Sequence, residues 1–273
     1  MRLVVELVPR DVVALGEQLA ELAVLGRVDS VNVPDLRQFE LRSWQAALQV
    51  RSTGAGRWAA IPHLRARDCA TVPEWQPARA LREAGVGEVL VVTGDPPRAA
   101  AAVAGATEPA TAGPARTVLG VPDPVPDGSA LSTLDAIRAM KLANPDWKVY
   151  AALDPYRSGL AAERDYALRK LDAGADGFFS QPFFDLRLLE VWRELMAGTQ
   201  VFWGVTSVTS ERSARYWTGR NRAVLPSGFE PSLAWHRRLA REVLAFAEHH
   251  DEHVYFMPIK VGLGEWLGDL LGS

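Results

Sequence analysis

Residues 147–206 read WKVYAALDPYRSGLAAERDYALRKLDAGADGFFSQPFFDLRLLEVWRELMAGTQVFWGVT. Three short runs rich in aromatic and β-branched residues, Trp147 to Leu153, Gly177 to Gln181 and Val201 to Thr206, alternate with two segments of helical period, Ala161 to Ala173 and Leu186 to Met196. Gly174 supplies a stop for the first of these helices. Strands joined only through helices run parallel, because the chain must travel back along the sheet before the next strand begins.

The same alternation extends in both directions. Upstream, Leu3 to Val8 precedes Val12 to Leu25, where Val13, Leu15, Leu19, Leu22 and Leu25 form an apolar stripe. Ser30 to Val33 precedes Leu41 to Gln49, and Trp58 to His63 precedes Val72 to Ala84, with Pro73 suited to a first helical turn and Gly85 to its end. Glu88 to Thr93 leads to a helix that resumes near Leu131. Downstream, the helix Ser210 to Thr218 follows Val201 to Thr206, the long helix Leu233 to His249 leads into Val254 to Pro258, and Gly264 to Leu271 closes the chain. Eight strand-then-helix units predict one α/β domain over residues 1–273, a single (β/α)8 barrel. An open doubly wound sheet is the other arrangement this pattern allows. Residues 99–128, rich in alanine, glycine and proline, form an irregular βα loop after the fourth strand, read either as a surface insertion or as a lid or cofactor loop.

Composition narrows the function classes. The 273 residues carry 30 Lys and Arg against 33 Asp and Glu, a formal net charge of −3, and this balance argues against a nucleic-acid partner. A hydrophobic content of 48% with 23% charged residues supports a large core. The lone Cys69 excludes an intrachain disulfide and any multi-cysteine metal site, which fits a reducing compartment. Glu6 and Pro9 interrupt the N-terminal apolar run too early for a signal peptide, and no stretch is apolar enough for a membrane helix. The expectation is a soluble, cytoplasmic protein.

In a barrel of this kind the C-terminal strand ends converge on one face, so polar residues there are the site candidates. They are Glu6, Asn32, His63, Asp95 and Gln181. Glu6 among apolar neighbours is costly to ionise, which makes it either a proton donor near neutral pH or a rim carboxylate paired with an arginine. Asp95 in TGDPP also suits a turn, and His63 a core position. His249, His250 and His253 fall where the long helix ends, which argues against a metal pair, and GLGEWLG at 262–268 lacks the dinucleotide spacing. No metal site is expected.

The strings ELVP at 6–9, PHL at 62–64, TGDPP at 93–97, KLDAGAD at 170–176, QPFFD at 181–185 and VYFMPIK at 254–260 resemble, in order and spacing, the 5,10-methylenetetrahydrofolate reductase family. The resemblance implies a FAD-carrying (β/α)8 barrel in which NADH or NADPH reduces the flavin and the flavin then reduces methylenetetrahydrofolate, in one-carbon metabolism and methionine biosynthesis. It implies Glu6 as general acid, Asp95 as the carboxylate beside flavin and folate, and Gln181 as a folate ligand, with Lys260 paired to the folate glutamate tail. It implies Asn32, His63, Thr93, Arg157 and Lys170 as FAD contacts, Lys170 and Arg157 serving the phosphates. The sequence departs from the family at Asn32 (for threonine), Thr93 (for arginine), Leu153 (for tyrosine) and Arg157 (for histidine), which thins the flavin contacts and leaves Glu6, Asp95 and Gln181 in place. A flavin-free reductase of the same substrate, and a non-catalytic folate- or flavin-binding barrel that serves a partner subunit, are the alternatives; a homo-oligomer is compatible with each.

Overall fold

The computed structural model describes residues 1–53, 56–69, 75–94 and 131–272. Asp95, the 99–128 loop and Pro73 lie outside them. Eight parallel strands close on themselves in chain order: β1 Leu3–Glu6, β2 Ser30–Val33, β3 Ala59–Arg65, β4 Glu88–Val92, β5 Lys148–Leu153, β6 Gly177–Pro182, β7 Val201–Thr206 and β8 His253–Met257. Closure pairs Leu3 with Val254 and Val5 with Phe256, so the expected (β/α)8 barrel is found and the open sheet is not.

The described helices are α1 Val12–Ala23, α2 Ser43–Thr53, α3 Gln76–Glu83, α4 Thr133–Ala143, α5 Leu160–Asp172, α6 Leu186–Leu195, α7 Glu211–Arg220, α8 Leu233–His250 and α9 Leu263–Leu271. Side chains cap several of them as the sequence dictates. Asp11, Ser132, Asp185, Ser210 and Ser232 each accept a hydrogen bond from a backbone N–H of the first turn. Among the described residues the proline of α3 is Pro77, in its first turn. The α1 stripe is Leu15, Leu19 and Leu22; Val13 sits two residues from Leu15, off that face, and is 72% exposed.

The strand period of two divides the apolar residues between two cores. Val5, Val31, Val89, Val149, Phe178 and Val205 face outward and pack under the helices. Val4, Ile61, Leu90, Tyr150, Phe179, Phe202 and Tyr255 point inward and fill the barrel, with Phe179 and Phe202 stacked at 4.3 Å between centroids. The N-terminal end is shut by a polar plug: Arg2 donates to Glu88 at 3.0 Å and to Ser30 at 2.5 Å, and the Tyr150 hydroxyl donates to Glu88 at 3.1 Å. With the middle packed and that end plugged, the C-terminal mouth is where inward-pointing polar side chains meet open space.

β6 carries an irregularity between Phe179 and Pro182, where the pairing with β7 shifts register. Gly204 stands opposite it, and a Cβ there would lie 2.6 Å from the Ser180 carbonyl and 2.7 Å from Met257 Cε. Only glycine lets the two strands approach this closely at the rim.

Candidate functional site

Adding two residues to the inward positions Val4 and Ile61 gives Glu6 and His63, one layer higher in the mouth. Asn32 pairs in register with both Glu6 on β1 and Ile61 on β3 and is fully buried. Tyr255 reaches up from β8 between them. Its hydroxyl donates to the Glu6 carboxylate and lies 3.2 Å from Asn32 Oδ1, which also faces His63 Nε2 at 2.5 Å. A continuous chain, Glu6–Tyr255–Asn32–His63, thus crosses four adjacent strands of the barrel, β8, β1, β2 and β3.

Protonation follows from this geometry. Desolvation pushes the Glu6 carboxyl up to about 7, against the opposing effect of the Tyr255 hydrogen bond. The same burial raises the Tyr255 phenol well above its ordinary range, with the Glu6 charge adding to it. Desolvation lowers His63 to about 4, although Asp35 pulls the other way, so the imidazole is neutral at physiological pH. The single phenol proton of Tyr255 goes to Glu6, so a protonated Glu6 carries its own proton on the other carboxyl oxygen, and the His63 Nε2 proton points to Asn32 Oδ1. One donor is left over. Among the described residues the buried Asn32 Nδ2 has no partner, and an unpaired buried amide is a cost that a bound acceptor removes.

Glu6 opens onto a cavity of about 600 Å³ between α1 and the β8–α9 connection, whose wall includes Arg10, Asp11, Glu17, Glu21 and Lys260. Lys260 is exposed and holds a left-handed backbone, φ 57°. His63 opens onto a second cavity of about 730 Å³ over β2, β3, α2 and α3. Glu6 at one end of the four-residue chain lines the first cavity and His63 at the other end lines the second, while Asn32 and Tyr255 between them are buried.

The remaining expected site residues stand apart. Gln181 lies at the β6 irregularity on the opposite wall, half-buried. Thr93 shares a hydrogen bond with Thr133 at the start of α4, 2.9 Å between hydroxyls. The two cations assigned to FAD phosphates are engaged by the barrel itself. Lys170 is 3% exposed, donates to the Ala152 carbonyl at 2.6 Å and lies 4.2 Å from the Tyr166 ring centroid. Arg157 is paired to the buried Glu163 at 2.7 Å and also lies over Tyr166. A pyrophosphate would have to displace these partners, so Lys170 and Arg157 as placed do not fit the flavin contacts that the resemblance implies. Among the described residues no group of three or more His, Cys, Asp or Glu stands close enough together to hold a metal, and no helix is long and apolar enough to cross a membrane.

Of the residues singled out in the sequence, the structure brings together Glu6, Asn32 and His63; Tyr255, which joins them, and Asp35, which acts on His63, were not singled out. Tyr255 was legible as an inward residue by the period of HVYFM; its partner on β1 was not, because that contact exists only once the barrel closes.

No protein-family profile and no curated protein matches the chain in sequence. Solved structures match it in shape. An uncharacterised protein from Clostridium thermocellum that binds two copies of 5-methyl-5,6,7,8-tetrahydrofolic acid superposes with a TM-score of 0.57 at 10% identity, covering 98% of this chain and 92% of its own. 2,3-Dimethylmalate lyase, a member of the PEP mutase/isocitrate lyase superfamily, gives 0.55 at 12% identity over 99% of this chain and 78% of its own. Oxaloacetate acetylhydrolase, in complex with 3,3-difluorooxalacetate, gives 0.51 at 12% identity over 92% and 82%. These likenesses establish the barrel fold. They also correct the expected activity: the two of these barrels that are named for a reaction are a lyase and an acetylhydrolase, not NAD(P)H-dependent oxidoreductases, so the reductase reading does not stand. Its folate component has a counterpart in a solved barrel of this shape, which binds 5-methyl-5,6,7,8-tetrahydrofolic acid.

Proposed function

We propose that this chain is a reduced-folate-binding barrel whose mouth receives the pterin end of a tetrahydrofolate against Glu6, Tyr255 and Asn32. The observation that carries the reading is the unpaired, fully buried Asn32 amide beside a carboxyl group that stays protonated to about pH 7. A pterin edge mixes carbonyl and ring-nitrogen acceptors with N–H donors, and these two groups offer both kinds of partner in a desolvated setting. Glu6 in its acid form can donate to a weakly basic pterin nitrogen that a carboxylate would repel. The order of residue strings shared with a folate-using family, and a solved barrel of this shape that binds 5-methyltetrahydrofolate, support the same ligand class. Gln181 is proposed as a further amide contact from the opposite wall.

Calorimetric titration of the full chain with 5-methyltetrahydrofolate between pH 5.5 and 8.5 tests this. Binding should weaken as pH rises through about 7, where Glu6 loses the proton it donates. Glu6→Gln, which keeps a donor at all pH values, should bind with a flat profile, and Glu6→Ala should bind weakly throughout. Absence of binding by the unaltered chain sinks the reading.

A further inference from the structure

The second cavity has a composition that the pterin site does not use. Three guanidinium groups, Arg37, Arg42 and Arg65, surround two carboxylates, Asp35 and Asp68, and the indoles of Trp44 and Trp75 complete the wall. Asp35 holds Arg42 and the buried Arg65, the latter at 3.1 Å. Asp68 takes Arg65, Arg42 at 3.3 Å and Arg37 at 2.9 Å. Two carboxylates cannot neutralise three guanidiniums, so the described lining keeps one positive charge. The outermost partner is Arg37, whose side chain is 46% exposed and whose described ion pair uses only one of its nitrogens. The network also fixes the guanidinium planes, and a planar fork held in place is suited to a carboxylate.

The Glu6 cavity has the opposite balance. Asp11, Glu17 and Glu21 line it against Arg10 and Lys260, which disfavours a second anion there. A folate is asymmetric in the same sense, with a neutral, donor-rich pterin at one end and an aromatic aminobenzoyl group carrying glutamate carboxylates at the other. We propose that the cavity lined by Arg37, Arg42, Trp44, Arg65 and Trp75 is an aryl-glutamate subsite, taking the aminobenzoyl ring between indoles and the glutamate carboxylates on the guanidiniums. This rests on the folate reading of the adjoining Glu6 site and moves the tail away from Lys260. The proposed ligand would span from the Glu6 end of the Glu6–Tyr255–Asn32–His63 chain, which lines the first cavity, to its His63 end, which lines the second.

Three ligands separate the two claims: 5-methyltetrahydrofolate, 6-methyltetrahydropterin, which lacks the tail, and p-aminobenzoylglutamate, which lacks the pterin. The unaltered chain should bind the folate at least about tenfold more tightly than the tetrahydropterin, with the difference shrinking as salt rises. Arg37→Gln, at an exposed position, should collapse that difference, and Lys260→Gln should leave it. p-Aminobenzoylglutamate should bind alone, weakly, and be lost in Arg37→Gln. Equal affinity for folate and tetrahydropterin, or a difference that Lys260→Gln removes and Arg37→Gln does not, overturns the subsite while leaving the pterin reading standing. Binding of p-aminobenzoylglutamate with no binding of either pterin overturns the Glu6 reading and keeps the subsite. Equal competition by inorganic phosphate marks a general anion site and rejects the aryl-glutamate assignment.

Discussion

The Tyr255 hydroxyl donates to the Glu6 carboxylate although 249 positions separate them in the chain. The pair exists because β8 closes on β1, with Tyr255 set beside Val4 one layer below Glu6. It places a titrating carboxyl at the end of a hydrogen-bonded chain that no local segment encodes, and consequences for stability and protonation follow.

Glu6 titrates near its ordinary 4.5 in the unfolded chain and at about 7 in the folded one. As pH rises the unfolded state therefore loses its proton first, so the contribution is intact below pH 4.5, declines between 4.5 and 7, and stays lost above. A shift of this size corresponds to up to about 3 kcal/mol. Glu6→Gln should be more stable than the unaltered chain at pH 8 by up to that amount and nearly equal to it at pH 4, as read by urea unfolding. A gap independent of pH would show that Glu6 is not held protonated.

Tyr255→Phe removes the one bond that opposes the rise of the Glu6 pKa, so Glu6 should titrate above 7 in this variant. Carboxyl carbon NMR of labelled Glu6 reads the midpoint directly, and an unmoved midpoint contradicts the contact. Any proposed weakening of folate binding with pH should move upward by the same interval.

His63, lowered to about 4 by burial, should show no imidazole titration between pH 8 and 5, with its proton on Nε2 facing Asn32 Oδ1. Because its folded pKa lies below its unfolded value of 6.5, its contribution to stability is present above 6.5 and is lost as pH falls toward 4. Ring nitrogen shifts in two-dimensional NMR distinguish this from an ordinary exposed histidine, which would titrate in the middle of that range.

Lys170→Met should lower stability by about 1–3 kcal/mol, because the buried ammonium loses its bond to the Ala152 carbonyl and its place over Tyr166. That loss should change little between low and high salt, since screening acts weakly on buried contacts. A loss that salt abolishes would instead mark Lys170 as a surface charge open to a phosphate.

The parallel α/β pattern was written in the sequence from residue 147 to 206, since strand and helix periods are local and a parallel crossover needs nothing distant to declare itself, whereas the barrel rested on eight such units along the chain and its closure was decided by the structure. Glu6, Asn32 and His63 were legible for the same reason: each is a polar residue at the top of an apolar strand, and the period of two sets which wall it faces. The sequence alone also excluded a disulfide between two of these 273 residues, through the single Cys69. What it could not determine was who meets whom across the mouth. Tyr255 against Glu6, Arg65 between Asp35 and Asp68, and Lys170 turned inward onto Ala152 all depend on barrel closure and on helix placement. Those contacts, rather than residue type, decide that Lys170 and Arg157 serve the fold, that Glu6 keeps its proton near neutrality, and that the excess positive charge gathers over His63 rather than at Lys260. Local periodicity fixes the direction of a side chain, whereas its charge state and its partners are set by desolvation and distance, which arise only when strands far apart in the chain are brought together.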